Sequence, residues 1–124
     1  MKNLLKLFTV FVFCFAIITP YAYGEPIPVD SLFKGLESGI IILEFDDPVT
    51  VTGYVIDTGI SKYLTPYVAL SDKKGGEQYA VCVLPRADSL KLKDFAKDEK
   101  VTMEGHFYAF RDKVVIKKCS KVTE

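Results

Sequence analysis

The chain has 124 residues, with 16 basic and 16 acidic side chains and a formal charge of zero. That length suits one domain, and 49% hydrophobic with 26% charged residues excludes a disordered or collagen-like chain. With one histidine, three cysteines and no tryptophan, a histidine-built metal centre or a catalytic triad would depend on a single imidazole.

The N-terminus reads as a sorting signal. Lys2 and Lys6 form a positive lead, and Leu7 to Ile18 is an uncharged apolar run. Pro20 and the Ala22-x-Gly24 pattern follow, which places cleavage before Glu25. The run falls short of the roughly 20 residues a spanning helix needs. An uncleaved anchor is the alternative, and Pro20 with Ala22-x-Gly24 favours cleavage. Cys14 lies between Phe13 and Phe15 and so lacks the small preceding residue of a lipid-modified cysteine. The expectation is a signal peptide over 1–24, a periplasmic or secreted product, and no stable membrane span after cleavage. Loss of Lys2 and Lys6 from 16 basic residues leaves 14 against 16 acidic, a net charge of −2. A slightly acidic domain lacks the electrostatic footprint of a nucleic-acid binder.

Cys82 and Cys119 remain after cleavage, and an even count in an exported chain reads as one disulfide. Two buried free thiols are the alternative. No CxxC spacing accompanies them, and His106 is the only other soft ligand, so neither a metal nor a cofactor is expected.

Residues 25–47 read as an N-terminal extension and helix. Glu25-Pro26-Ile27-Pro28 is an extended entry, and Asp30 or Ser31 is placed to cap a helix carrying Leu32, Phe33, Leu36 and Ile40. The run Ile40-Ile41-Ile42 suits a strand, and the end of the helix stays open. Asp46-Asp47-Pro48 marks a turn. Strands then follow over Val49–Val55, with Gly53 on the inward face among Val49, Val51 and Val55, and over Tyr67–Ser71 and Gln78–Leu84. Asp57 to Thr65 reads as a loop and Asp72 to Gly76 as a hairpin turn. Arg86 to Lys97 changes period, with Asp88 or Ser89 as cap and Leu90, Leu92 and Phe95 as its apolar residues. Lys100–Phe110 alternates again, with Val101, Met103, Gly105 and Phe107 inward. Arg111-Asp112 turns the chain into a last strand from Val114.

Five strands with a helix between the third and fourth is the order of the OB-fold, an all-β, five-stranded Greek-key barrel, here over residues 48–124 with an added N-terminal helix. The ordered pattern Val49-x-Val51-x-Gly53-x-Val55, Tyr67-Val68-x-Leu70, Val81-Cys82-Val83, Lys100-Val101-Thr102-Met103-x-Gly105 and Val114-x-Ile116-x-x-Cys119 resembles the bacterial tRNA_anti-like family. That resemblance covers Pro48 to Val122 and implies a small exported OB-fold domain of uncharacterised function; the family name refers to fold and does not imply tRNA binding. In such a barrel the third and fifth strands are neighbours, which brings Cys82 and Cys119 within disulfide range. Alternation alone puts Cys119 on the face opposite Ile116; a bulge near Lys117 is one way to reconcile them, and the register of the last strand stays open.

Signs of catalysis are few. His106 reads as an outward strand residue without a nucleophile motif, and an enzyme would need a deep pocket around it. Asp46-Asp47 and Gly75-Gly76 read as turns. Lys113, Lys117, Lys118 and Lys121 read as a solvated edge that discourages strand addition, with phosphate or lipid headgroups as the alternative. Tyr54, Tyr63, Tyr67 and Tyr79 are the candidate stacking residues, with packing against the N-terminal helix as the other use. The sequence therefore points to a monomeric, non-catalytic binding module. Its contacts are Tyr54, Lys62, Tyr63 and Tyr67, and its ligand is a protein or glycan, with single-stranded nucleic acid as the alternative.

Overall fold

The computed structural model describes residues 25–122. The signal segment expected over 1–24, with Cys14, lies outside the described residues. The elements are β1 (Ile27–Pro28), α1 (Val29–Ser38), β2 (Pro48–Ile60), β3 (Pro66–Ser71), β4 (Ala80–Val83), a 3-10 segment (Arg86–Asp94), β5 (Lys100–Phe110) and β6 (Val114–Lys121). The sheet runs in the order β1-β2-β3-β4-β6-β5, and β5 closes back onto β2. All ladders of the resulting five-stranded barrel are antiparallel except β4–β6, which is parallel. This is the OB-fold topology, with β2 through β6 as its five strands.

Alternation explains which side chains fill the barrel. Val49, Val51, Gly53 and Val55 point inward from β2, as Val101, Met103, Gly105 and Phe107 do from β5. They meet Val68 and Leu70 of β3, Cys82 of β4 and Val114, Ile116 and Cys119 of β6 in one core. Gly53 is required by a close approach: a Cβ there would lie 2.9 Å from the Ser71 carbonyl and 3.0 Å from the Val29 side chain. The strand's bulge comes slightly later, where the register with β3 shifts between Val55 and Asp57.

Several sequence expectations are corrected. β2 continues to Ile60, because Asp57, Thr58, Gly59 and Ile60 pair with β3, so the following loop is only residues 61–65. α1 begins at Val29 after Pro28, with no side-chain cap from Asp30 or Ser31. It stops at Ser38, because Gly39 takes φ 81° and donates its amide to the Leu36 carbonyl. Ile40 therefore leaves the helix and is 85% exposed. The run Ile40–Ile42 forms neither helix nor strand. The helix expected after the third barrel strand is 3-10, follows Pro85 rather than a capping Asp88 or Ser89, and exposes Leu90.

The register of the last strand, open from sequence, is settled by a bulge. Glu104 pairs with Ser120 and His106 with Lys117, so two residues intervene on β6 opposite one on β5. Lys118 takes φ 53°, and the extra residue returns Cys119 to the core. Gly105 makes room, since a Cβ there would lie 2.7 Å from the Lys117 carbonyl and 3.0 Å from Cys119 Sγ.

Candidate interaction surface

The loop between β2 and β3 is short and internally tied. The Ser61 hydroxyl accepts from the Tyr63 and Thr65 amides, at 3.2 and 3.3 Å. The Ser61 amide donates to the Thr65 carbonyl, the Leu64 amide donates back to the Ser61 carbonyl, and Leu64 takes φ 62°. This turn holds Tyr63 67% and Leu64 71% exposed beside exposed Ile60, with the Lys62 ammonium 5.1 Å from the Tyr63 ring centre. Ile60 and Leu64 carried no signal in the sequence, because Ile60 read as loop interior and the turn had not placed Leu64 outward.

The expected tyrosine face does not come together. Tyr54 is half-buried beside Lys100, its cross-strand partner on β5, whose Nζ lies 5.9 Å from the ring centre. Tyr67 spends its ring on Gly59, directly opposite on β2, where a Cβ would meet its hydroxyl at 2.8 Å. Tyr79 packs edge-on against Phe33 of α1, at 5.3 Å between centres, as the helix-packing reading had it. Only Tyr63 projects freely. Between these positions the outer face of β3 and β4 carries partly buried Tyr67, Val81 and Val83, with Ala69 buried among them and Val115 of β6 beside Val81. The cross-strand rows are Gly59–Tyr67–Val83 and Asp57–Ala69–Val81–Val115.

The β5–β6 surface is stapled by charge. Lys117 Nζ lies 3.3 Å from the Asp46 carboxylate and 4.0 Å from the Phe45 ring centre, and Phe45 packs edge-on against Tyr108. The Lys117 ammonium hydrogen-bonds Asp46 and holds its carboxyl below the usual range, with His106 adding to the effect. His106 Nδ1 is 3.0 Å from the Asp46 carbonyl. His106 thus faces outward and ties the residue 45–47 turn to the barrel. The Asp46-Asp47 pair is a turn, with the Asp47 carboxylate accepting from the Glu44 amide. The lysines do not act together: Lys117 serves Asp46, while Lys121 bonds Glu99 and the Asp94 carbonyl.

A cleft of about 430 Å³ opens beside the 3-10 segment, lined among others by Leu84, Lys91, Phe95, Cys119 and Lys121. Leu84 donates its amide to the Pro66 carbonyl, which places this cleft at the same barrel end as the Tyr63 loop. The disulfide expected between Cys82 and Cys119 is not formed in this structure: the bulge at Lys118 brings Cys119 into the core with Cys82, where both lie as buried unbonded cysteines. The neighbouring Cys119 thiol, together with burial, pushes the Cys82 thiol well above its ordinary pKa. Among the described residues no helix is long and apolar enough to cross a membrane.

No family model matches the chain, and no curated protein matches it. Solved structures do. The chain is similar to the OBody AM3L15 bound to hen egg-white lysozyme, with TM-score 0.46 and 20% identity over 64% of this chain and 80% of that one. It is similar to the S. pombe Stn1–Ten1 complex at TM-score 0.44 and 15% identity, covering 62% of this chain and 59% of that one. It is also similar to RecG bound to a three-way DNA junction at TM-score 0.48 and 16% identity, covering 66% of this chain and 12% of that one.

Proposed function

We propose that the chain is an exported, non-catalytic OB-fold interaction module that docks a protein partner through the residue 61–65 loop and the adjoining outer face of β3 and β4. The observation that carries this reading is the fixed turn that keeps Ile60, Tyr63 and Leu64 in solvent. Holding apolar side chains out costs hydration, and a pre-formed turn reduces the ordering cost of binding. The partly exposed Val81, Val83 and Val115 beside it add aliphatic contact, with Asp57 at the edge of the same row. The net charge of −2 expected after cleavage also favours a protein over a polynucleotide, whose affinity comes mainly from phosphate contacts. Export rests on the Lys2 to Gly24 pattern, and the resemblance to the tRNA_anti-like family on the strand pattern from Pro48 to Val122.

The test uses residues 25–124 as bait in envelope extract, beside a variant with Ile60→Ser, Tyr63→Ala and Leu64→Ser. The expected result is a discrete protein whose enrichment falls about tenfold or more in the variant, while both baits melt alike. Equal capture by both baits contradicts the docking site. Binding to a glycan panel or an oligodeoxynucleotide, with no protein captured, overturns the choice of partner.

A further inference from the structure

The two cysteines are alike in burial but differ in what they adjoin. Cys119 lines the cleft under the 3-10 segment, whereas Cys82 lies behind it on β4. The geometry that joins them is specific. Cys82 pairs in register with Ile116, and Cys119 Sγ sits 3.2 Å from the Ile116 carbonyl. The left-handed Lys118 and the missing side chain of Gly105 put Cys119 Sγ there. The two lysines along the cleft already have partners. Lys91 is 3.5 Å from Asp88, and Lys121 bonds Glu99 and the Asp94 carbonyl. The soft nucleophile the cleft offers is the Cys119 thiol, with a second thiol behind it.

We propose that Cys82 and Cys119 form a thiol–disulfide exchange site, in which Cys119 reacts first through the cleft with a small disulfide and Cys82 resolves the adduct. In the first step the Cys119 thiolate attacks one sulfur of the disulfide RS–SR. A Cys119–SR bond forms, the RS–SR bond breaks, and one thiol leaves with the proton Cys119 gave up. In the second step the Cys82 thiolate attacks Cys119 Sγ. The internal Cys82–Cys119 bond forms, and the second thiol leaves with the Cys82 proton. The protein dithiol is oxidised, and one disulfide is reduced to two thiols. The order follows from position: Cys119 borders the cleft and Cys82 does not. The neighbouring Cys119 thiol and burial also favour the neutral, unreactive form of Cys82.

The experiment starts from protein reduced with dithiothreitol and then freed of it. Glutathione disulfide is added, and samples are quenched with acid for intact mass and peptide mapping. Wild type is expected to lose both thiols and end with Cys82 linked to Cys119 and no retained glutathione. Cys82→Ala should hold one glutathione on Cys119, formed about tenfold or more faster than any adduct on Cys82 in Cys119→Ala. The order is read in wild type as well, with limiting iodoacetamide, so that it does not depend on how the variants fold. Cys119 should be alkylated first. Equal or faster alkylation of Cys82 overturns the entry role of Cys119, and a stable mixed disulfide in wild type overturns the resolving step.

Discussion

The two ends of the barrel are closed by helices of different kinds, and only one closure is complete. At the α1 end, Val29 and Leu32 are fully buried, and Phe33 stacks edge-on against both Tyr79 and Phe110. At the other end the 3-10 segment sends Leu92 and Phe95 into the core but leaves Leu90 80% exposed. The helical period accounts for the difference. At 3.6 residues per turn, Val29, Leu32 and Leu36 share one face of α1. At three residues per turn, Leu92 and Phe95 align, and Leu90 lies with Lys93 on another side. The half-closed end retains a cleft down to Cys119 and carries the exposed Tyr63 loop. One end of this barrel is built for stability, and the other leaves its groups available.

The largest test of that contrast is at the closed end. Leu32→Ala removes a fully buried side chain and should cost about 2–5 kcal/mol in urea denaturation. Gly105→Ala comes next, at about 1–3 kcal/mol, because the new Cβ meets Ile116 Cγ2 and the Lys117 carbonyl at 2.7 Å, and a backbone oxygen cannot swing aside. Gly39→Ala should cost about 1 kcal/mol, since its Cβ meets nothing but its φ of 81° disfavours any side chain. Acid gives a smaller effect. The Asp46 carboxyl is depressed in the folded chain by Lys117, so its contribution is complete above the ordinary carboxylate pKa and is lost as pH falls through the lower folded value. Melting temperatures followed from about pH 5 to about pH 3 should therefore fall less for Lys117→Met than for wild type. Smallest of all is Leu90→Ser at the open end, which should leave stability within about 0.5 kcal/mol. A large loss there would mean that the 3-10 segment closes this end after all.

Much of the barrel was legible because alternation is a local property. The inward faces of β2 and β5 and the span Lys100–Phe110 follow from which residues must be buried, whereas the bulge before Cys119 was one option among open registers. What escaped depends on distant partners. Asp57-Thr58-Gly59 is turn chemistry on its own, and it becomes strand only because β3 lies alongside and the Tyr67 ring covers Gly59. Leu90 read with Leu92 and Phe95 as an apolar residue of one helix because a 3-10 period cannot be told from an α-helical one over so few residues. The candidate tyrosines were identifiable by type but not as a group. The bulge after Val55 and the pairings of Tyr54 with Lys100 and Tyr67 with Gly59 use two of them inside the fold. Tyr63 was the one that remained, and its neighbours Ile60 and Leu64 were visible only once the loop had its shape.

The claim that the open end meets a protein partner is tested most directly by photo-crosslinking from two positions in the producing cell. A photoreactive phenylalanine analogue replaces Tyr63 at the open end, or exposed Lys34 on α1 at the closed end. The account predicts a discrete, light-dependent protein adduct from position 63 and none from position 34. An adduct from position 34 with none from position 63 would contradict it and move the interaction to the opposite end of the barrel.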